Sequence, residues 1–183
     1  MLALLTSAAG ARAQDLRQVT SPDGRVQFRI FLAQPQPAAL FRLAYQVLYD
    51  GKPVLDTSFL GLEILNQPIL GENVGLTSSK TTKGDAYNGL LAQYMQNGSL
   101  GRRINLEVRV YDQGIAFRYV VPESGPLRPM LIVDESTEFH LGGDARLFEN
   151  RKAVPLSQVD SEALLPLPVT AELPGVAWVR IAE

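Results

Sequence analysis

Residues 102–121 read RRINLEVRVYDQGIAFRYVV, with apolar and polar positions alternating on both sides of Asp112-Gln113-Gly114. Successive strand side chains point to opposite faces, so Ile104, Leu106, Val108 and Val110 share one face and Arg103, Asn105, Glu107 and Arg109 the other. Ile115, Phe117, Tyr119 and Val121 carry the apolar face onward, which predicts an antiparallel hairpin with one face buried and a tight turn at the tripeptide. Upstream, Val26, Phe28, Ile30 and Leu32 alternate in the same way after the turn residues Ser21-Pro22-Asp23-Gly24, and Phe41, Leu43, Tyr45, Val47 and Tyr49 do so before Asp50-Gly51. Further strands are predicted at 54–55, 60–65, 74–79, 90–96, 131–139, 169–172 and 176–181, with Asn97-Gly98 as the hairpin turn into Arg102. The stretch 150–168, with three prolines and little alternation, reads as a long surface loop or edge crossing. No apolar repeat near 3.6 residues runs long enough for a helix. The prediction is an all-β, two-sheet antiparallel β-sandwich, because a single open sheet would leave one apolar face in water.

Composition narrows the chemistry. The 183 residues are 46% hydrophobic and 20% charged, enough for one domain with a full core, and the net charge is -2. With no basic field or run, nucleic acid is not an expected partner. The absence of cysteine excludes disulfides, thiolate zinc sites and a cysteine nucleophile, and a single histidine cannot build a multi-histidine metal site. The apolar start MLALLTSAAGARA ends in Ala11-Arg12-Ala13, small residues where a signal peptidase looks, though the basic start of a signal peptide is missing. It predicts a signal peptide over 1–13, truncated at its start, a domain over 14–183, and export; the run is too short for a membrane span of about 20 residues.

Few residues could carry catalysis. Asp134, Glu135 and Glu138 offer carboxylates for glycosidic hydrolysis or calcium, yet on a strand Asp134 and Glu138 would stand about 13 Å apart with Glu135 pointing away. The spacing favours a solvated strand edge. Trp178 could stack on a sugar ring, but tryptophan is usually buried and a core position is expected. His140 has no orienting partner in sequence and is expected to be structural. Asn97-Gly98-Ser99 matches a glycosylation acceptor but reads first as a turn. No serine sits in a nucleophile-elbow setting. On residues alone, no catalytic group is assigned.

The segment Tyr111-Asp112-Gln113-Gly114-Ile115-Ala116-Phe117-Arg118-Tyr119, preceded by Arg102-Arg103-Ile104-Asn105-Leu106, resembles a hallmark of the N-terminal domain of glycoside hydrolase family 97. In the same order, Ser21-Pro22-Asp23-Gly24 is similar to that domain's opening, Tyr49-Asp50-Gly51-Lys52-Pro53-Val54-Leu55 with Leu60-Gly61-Leu62 to its second hairpin, and Asp134-Glu135-Ser136-Thr137-Glu138-Phe139 to a later strand. Around Arg146-Leu147-Phe148 the chain departs from a richer aromatic segment that borders the family's active site. No sugar-contacting role is assigned to that segment.

The resemblance implies a galactose-mutarotase-like supersandwich that packs on a (β/α)8 barrel, the barrel bearing the catalytic carboxylates for α-glucosides or α-galactosides. This chain would be the non-catalytic part of an exported, periplasmic or extracellular enzyme, with the barrel and an α-linked oligosaccharide as partners. In the family a carboxylate in an Ile-x-Glu pattern near the domain's end helps to bind calcium; Ile181-Ala182-Glu183 fits, which makes Glu183 the expected calcium ligand. Two alternatives need no barrel: a free-standing carbohydrate-binding module gripping a glycan with Tyr87, Tyr94 or Trp178, and a structural sandwich without a ligand.

Overall fold

The computed structural model describes residues 14–99, 101–123, 130–149, 152–160 and 165–183; the stretch 1–13 expected as a signal peptide and parts of 150–168 lie outside them. Four strands form the first sheet in the order of the chain: β1 (Gln14–Thr20), β2 (Val26–Ala33), β3 (Arg42–Tyr49) and β4 (Lys52–Phe59). The short β5 (Leu62–Ile64) pairs with β10 (Ile132–Glu135). A second four-stranded meander holds β6 (Val74–Thr82), β7 (Asn88–Gln96), β8 (Arg103–Tyr111) and β9 (Gly114–Val120). The last sheet has the order β12-β11-β13-β14, from β11 (Arg146–Glu149), β12 (Lys152–Pro155), β13 (Val169–Leu173) and β14 (Ala177–Ile181). All named pairings are antiparallel, and a 3-10 turn at Leu156–Gln158 is the one helical element among the described residues. The chain is the all-β sandwich that its alternation predicts.

The core lies between the two meanders. Phe28 and Tyr45 from the first and Phe117 from the second meet with ring centroids 5.6, 6.2 and 5.6 Å apart. Around them Ile30, Leu43, Ile104, Leu106 and Val110 are fully buried. Each such side chain contributes about 1.5–3 kcal/mol by leaving water, which is why the alternation sets the register: a one-residue slip would expose the whole set. Phe31, Ala33, Ala44 and Phe59 form a separate buried cluster. Both parities of β2 are therefore covered near its end.

The hairpins differ in detail from expectation. At Asp50-Gly51 both residues have positive φ, 47° and 76°, and Tyr49 pairs directly with Lys52, the two-residue geometry that matches strand twist. In the second meander Tyr111 pairs with Gly114, so the turn is Asp112-Gln113 alone and Gly114 is the first residue of β9. Asn97-Gly98 is not a two-residue turn. The connection spans 97–102 and is closed by the Gln96 N–H on the Arg102 carbonyl at 2.7 Å, because Asn97 is drawn to Asn73 through its backbone N–H (2.8 Å) and its side-chain amide (3.2 Å).

Three segments differ from what the alternation predicts. β1 is not announced by the sequence, since over 15–20 only Val19 is buried and no alternation advertises the strand. Part of the expected 150–168 loop is ordered instead as β12 and the 3-10 turn, with β12 pairing to β11 from Arg146↔Pro155 to Glu149↔Lys152. The strand expected over 131–139 is regular only over β10, with a register shift between Ile132 and Asp134. Beyond it the chain follows the free edge of β4, the N–H groups of Ser136, Glu138 and Gly142 donating to the carbonyls of Gly61, Phe59 and Val54 at 2.9, 2.9 and 3.0 Å.

Candidate functional site

The two turns that carry the sequence signature meet at one end of the sandwich. The Asp23 N–H donates to Asp112 Oδ1 at 3.0 Å, joining the Ser21-Pro22-Asp23-Gly24 turn to the tip of β8–β9. Asp23 in turn accepts from the Ser21 hydroxyl and from the Arg25 N–H at 3.0 Å, and Arg25 pairs with Asp50 at 2.8 Å while lying over the Tyr49 ring. The Ser21 hydroxyl and then the Arg25 amide hold the Asp23 carboxyl below its usual range, and the Arg25 guanidinium does the same for Asp50. The signature is therefore a clasp between three turns, with Asp23, Asp112 and Asp50 each accepting from protein donors.

The acidic segment is dispersed rather than gathered. Asp134 accepts from the Glu135 N–H at 2.8 Å, Glu135 accepts from Thr137, and Glu138, which lies past the end of β10, turns back onto the first sheet. There Glu138 Oε2 accepts the Phe59 N–H at 3.2 Å, its carbonyl accepts the Tyr45 hydroxyl at 2.7 Å, and Arg42 Nη1 stands 3.9 Å from Oε1. The shared strand face expected for Asp134 and Glu138 does not form, because the regular strand ends at Glu135. His140 does have partners: Nδ1 is 2.8 Å from the Thr57 carbonyl and Nε2 3.4 Å from Glu138. These contacts pin the 136–142 segment along β4, a structural task.

Trp178 is not in the core. It is 63% exposed, on the outer face of the last sheet, and its ring centroid lies 4.6 Å from that of Phe148, itself 36% exposed. The alternation explains the placement: Ala171 and Leu173 on β13 and Leu147 on β11 face inward and are buried, so Glu172, Arg146 and Trp178 must face out. Register then sets Arg146, Glu172 and Trp178 in one row, and Thr170 opposite Arg180. Sequence reasoning missed Phe148 because 146–149 shows too short an alternation to announce a strand; the alternating Trp178-Val179-Arg180 was the available signal.

The other aromatic candidates divide. Tyr94 is 1% exposed, its hydroxyl without a hydrogen-bond partner, and burial raises its pKa, so it cannot grip a glycan. Tyr87 is half-buried, its ring 5.2 Å from Tyr111 and beneath the Arg109 guanidinium. Arg118 pairs with Glu107 at 2.6 Å. Glu183 is exposed, two residues past β14. Among the described residues no three carboxylate or histidine side chains converge as a metal site. Calcium takes six to eight oxygens, so the groups present do not make a calcium site by themselves and Glu183 could be only one donor of a composite one. A cleft of about 430 Å³ opens between Lys52, Pro53, Gly142, Asp144, Leu173 and Val176, bridged by Lys52 Nζ donating to the Gly175 carbonyl at 3.0 Å.

These features define an antiparallel β-sandwich module whose signature residues clasp the fold and whose free polar and aromatic groups lie on an outer sheet face. The chain belongs to the family described as glycosyl-hydrolase 97 N-terminal, which matches residues 19–183. It is 25% identical over 148 residues to a retaining alpha-galactosidase of Bacteroides thetaiotaomicron, a match over 73% of this chain and 20% of that protein. A family 97 glycoside hydrolase variant from Pseudoalteromonas sp. strain K8, solved with panose, superposes with a TM-score of 0.68 at 21% identity, covering 85% of this chain and 26% of that one. A beta-arabinopyranosidase superposes at 0.62 with 25% identity, over 74% and 22%. The chain thus spans about a fifth to a quarter of the enzymes it matches.

Proposed function

We propose that this chain is the non-catalytic N-terminal domain of an exported α-glycoside hydrolase, packing on a (β/α)8 barrel and completing the rim of its active site. The observation that carries the reading is the family match over 19–183, within enzymes of which this chain corresponds to no more than about a quarter. Surface composition supports it. Leu131, Ile132 and Val133 are about half exposed, and Leu65, equally exposed, lies against them through its N–H on the Leu131 carbonyl at 3.0 Å. Four exposed apolar side chains on these two adjoining segments suit a protein interface better than water.

Within this reading Glu183 contributes one carboxylate to a calcium ion whose other oxygens come from the barrel, and the substrate is an α-linked oligosaccharide. The experiment is a full-length enzyme carrying this domain, assayed on maltose and melibiose beside a version lacking residues 14–183. Loss of soluble, active enzyme on deletion, and weaker calcium binding in full-length Glu183→Ala by calorimetry, are expected. A deleted enzyme with undiminished activity would overturn the domain's role, and unchanged calcium affinity would remove Glu183 from the ligand set.

A further inference from the structure

We infer that the outer face of the β12-β11-β13-β14 sheet is a glycan-binding surface, on which Trp178 stacks against the apolar face of a pyranose ring. The inference rests on the reading of this chain as part of a glycoside hydrolase, and it adds to that reading a binding site with its own residues. Exposure of an indole is costly, and this one is held in place rather than free: Phe148, on β11 beyond the intervening β13, has its ring centroid 4.6 Å from that of Trp178 and buttresses it across the face. The open part of Trp178 is therefore preorganised as a stacking surface.

The surrounding groups fit a sugar and not the other ligands that use aromatic rings. Arg146 and Glu172 stand in the same cross-strand row as Trp178, and Arg180 follows two positions along β14, on the same face. None of the three is engaged in a salt bridge or side-chain hydrogen bond among the described residues, so both guanidiniums and the carboxylate keep their hydrogen-bonding capacity. Guanidinium donors and a carboxylate acceptor beside an aromatic ring are complementary to vicinal hydroxyls, which donate and accept at once. A phosphate would be opposed by Glu172, and an apolar protein partner would strand three unpaired charges. A neutral oligosaccharide satisfies all of them, and its CH groups cover the indole.

Trp178 is the only tryptophan of the chain, so its fluorescence reports this face alone. The chain is titrated with panose, maltotriose and melibiose. Saturable quenching or a blue shift with at least one of them is expected, with affinity falling about tenfold in Glu172→Gln and in Arg180→Ala, each losing one charged hydrogen bond. Trp178→Ala, followed by calorimetry with circular dichroism as the check on folding, should lose binding. Emission that stays flat with all three sugars overturns the inference, as does binding that survives Trp178→Ala. Either result leaves the domain assignment standing, since that is decided by deleting residues 14–183 from the full-length enzyme.

Discussion

Arg102 shows how a single residue can belong to a signature and still burden the fold. It lies 9% exposed with both terminal guanidinium nitrogens lacking hydrogen-bond partners among the described residues, and desolvation lowers its pKa. A guanidinium stays charged at any ordinary pH, so the fold bears the cost of an unpaired buried cation. Arg102→Met keeps the length and removes the charge; it is expected to leave stability unchanged or raise it by about 1 kcal/mol, measured by urea denaturation. The clasp residue Asp112 behaves in the opposite sense. Asp112→Ala removes the acceptor for the Asp23 N–H and is expected to cost about 0.5–1.5 kcal/mol, seen as a lower midpoint at unchanged slope. Trp178 offers the contrast with the core: its truncation should cost about 1 kcal/mol or less, while Phe28→Ala, at the centre of the aromatic triad, should cost about 3–5 kcal/mol. The sequence could not distinguish the two aromatics. Phe28 stands between Gln27 and Arg29, but Trp178 stands between Ala177 and Val179 and shares its parity with both Val176 and Arg180, so both parities carry apolar residues there and the sheet's packing decides which faces the interior.

Elements were legible where one face is buried and the other wet, which is the condition under which alternation arises. The β8–β9 hairpin fits it, and its apolar parity is the one inside. β1 buries a single apolar side chain and β11 spans four residues, so neither produces a period long enough to read. Turns were legible as turns but not as geometries. Gly51 and Gly114 both sit at the turn of a signature motif, after Asp50 and after Asp112-Gln113, yet Gly51 has φ 76° whereas Gly114 is an extended strand residue. Neither has an atom within 4 Å of where a Cβ would stand, so conformation alone separates them. Gly51→Ala is expected to cost about 1–2 kcal/mol, the penalty for a left-handed L-residue. Gly114→Ala should be neutral or stabilising by about 0.4–1 kcal/mol, through a less flexible unfolded chain. Equal losses in thermal denaturation would show that Gly114 also needs a conformation reserved for glycine.

At the scale of the whole molecule the two meanders are closed over tyrosines whose hydroxyls must stay protonated. Tyr45 donates its proton to the Glu138 carbonyl at 2.7 Å, the Tyr94 hydroxyl has no hydrogen-bond partner among the described residues, and Tyr119 shares its hydroxyl between the Gly61 N–H and Thr137. Burial raises all three pKa values, that of Tyr119 to about 12. An unfolded tyrosine ionises near pH 10, and below that value both states carry the proton, so the contribution to stability is fully present. Between about pH 10 and 12 the unfolded chain loses these protons while the folded protein keeps them; the native state then binds more protons, and stability falls as pH rises. Each phenol held in this way removes about 1.4 kcal/mol per pH unit. The domain is therefore expected to unfold cooperatively in alkali, with phenolate absorbance from the buried tyrosines rising together with the loss of β-sheet ellipticity. Tyr45→Phe removes one of the three protons at stake and should flatten the fall in stability with pH, even though it deletes the bond to Glu138. If the buried phenols titrate near pH 10 while the ellipticity remains native, the hydroxyls are open to water and the closed interior described for this sandwich is wrong.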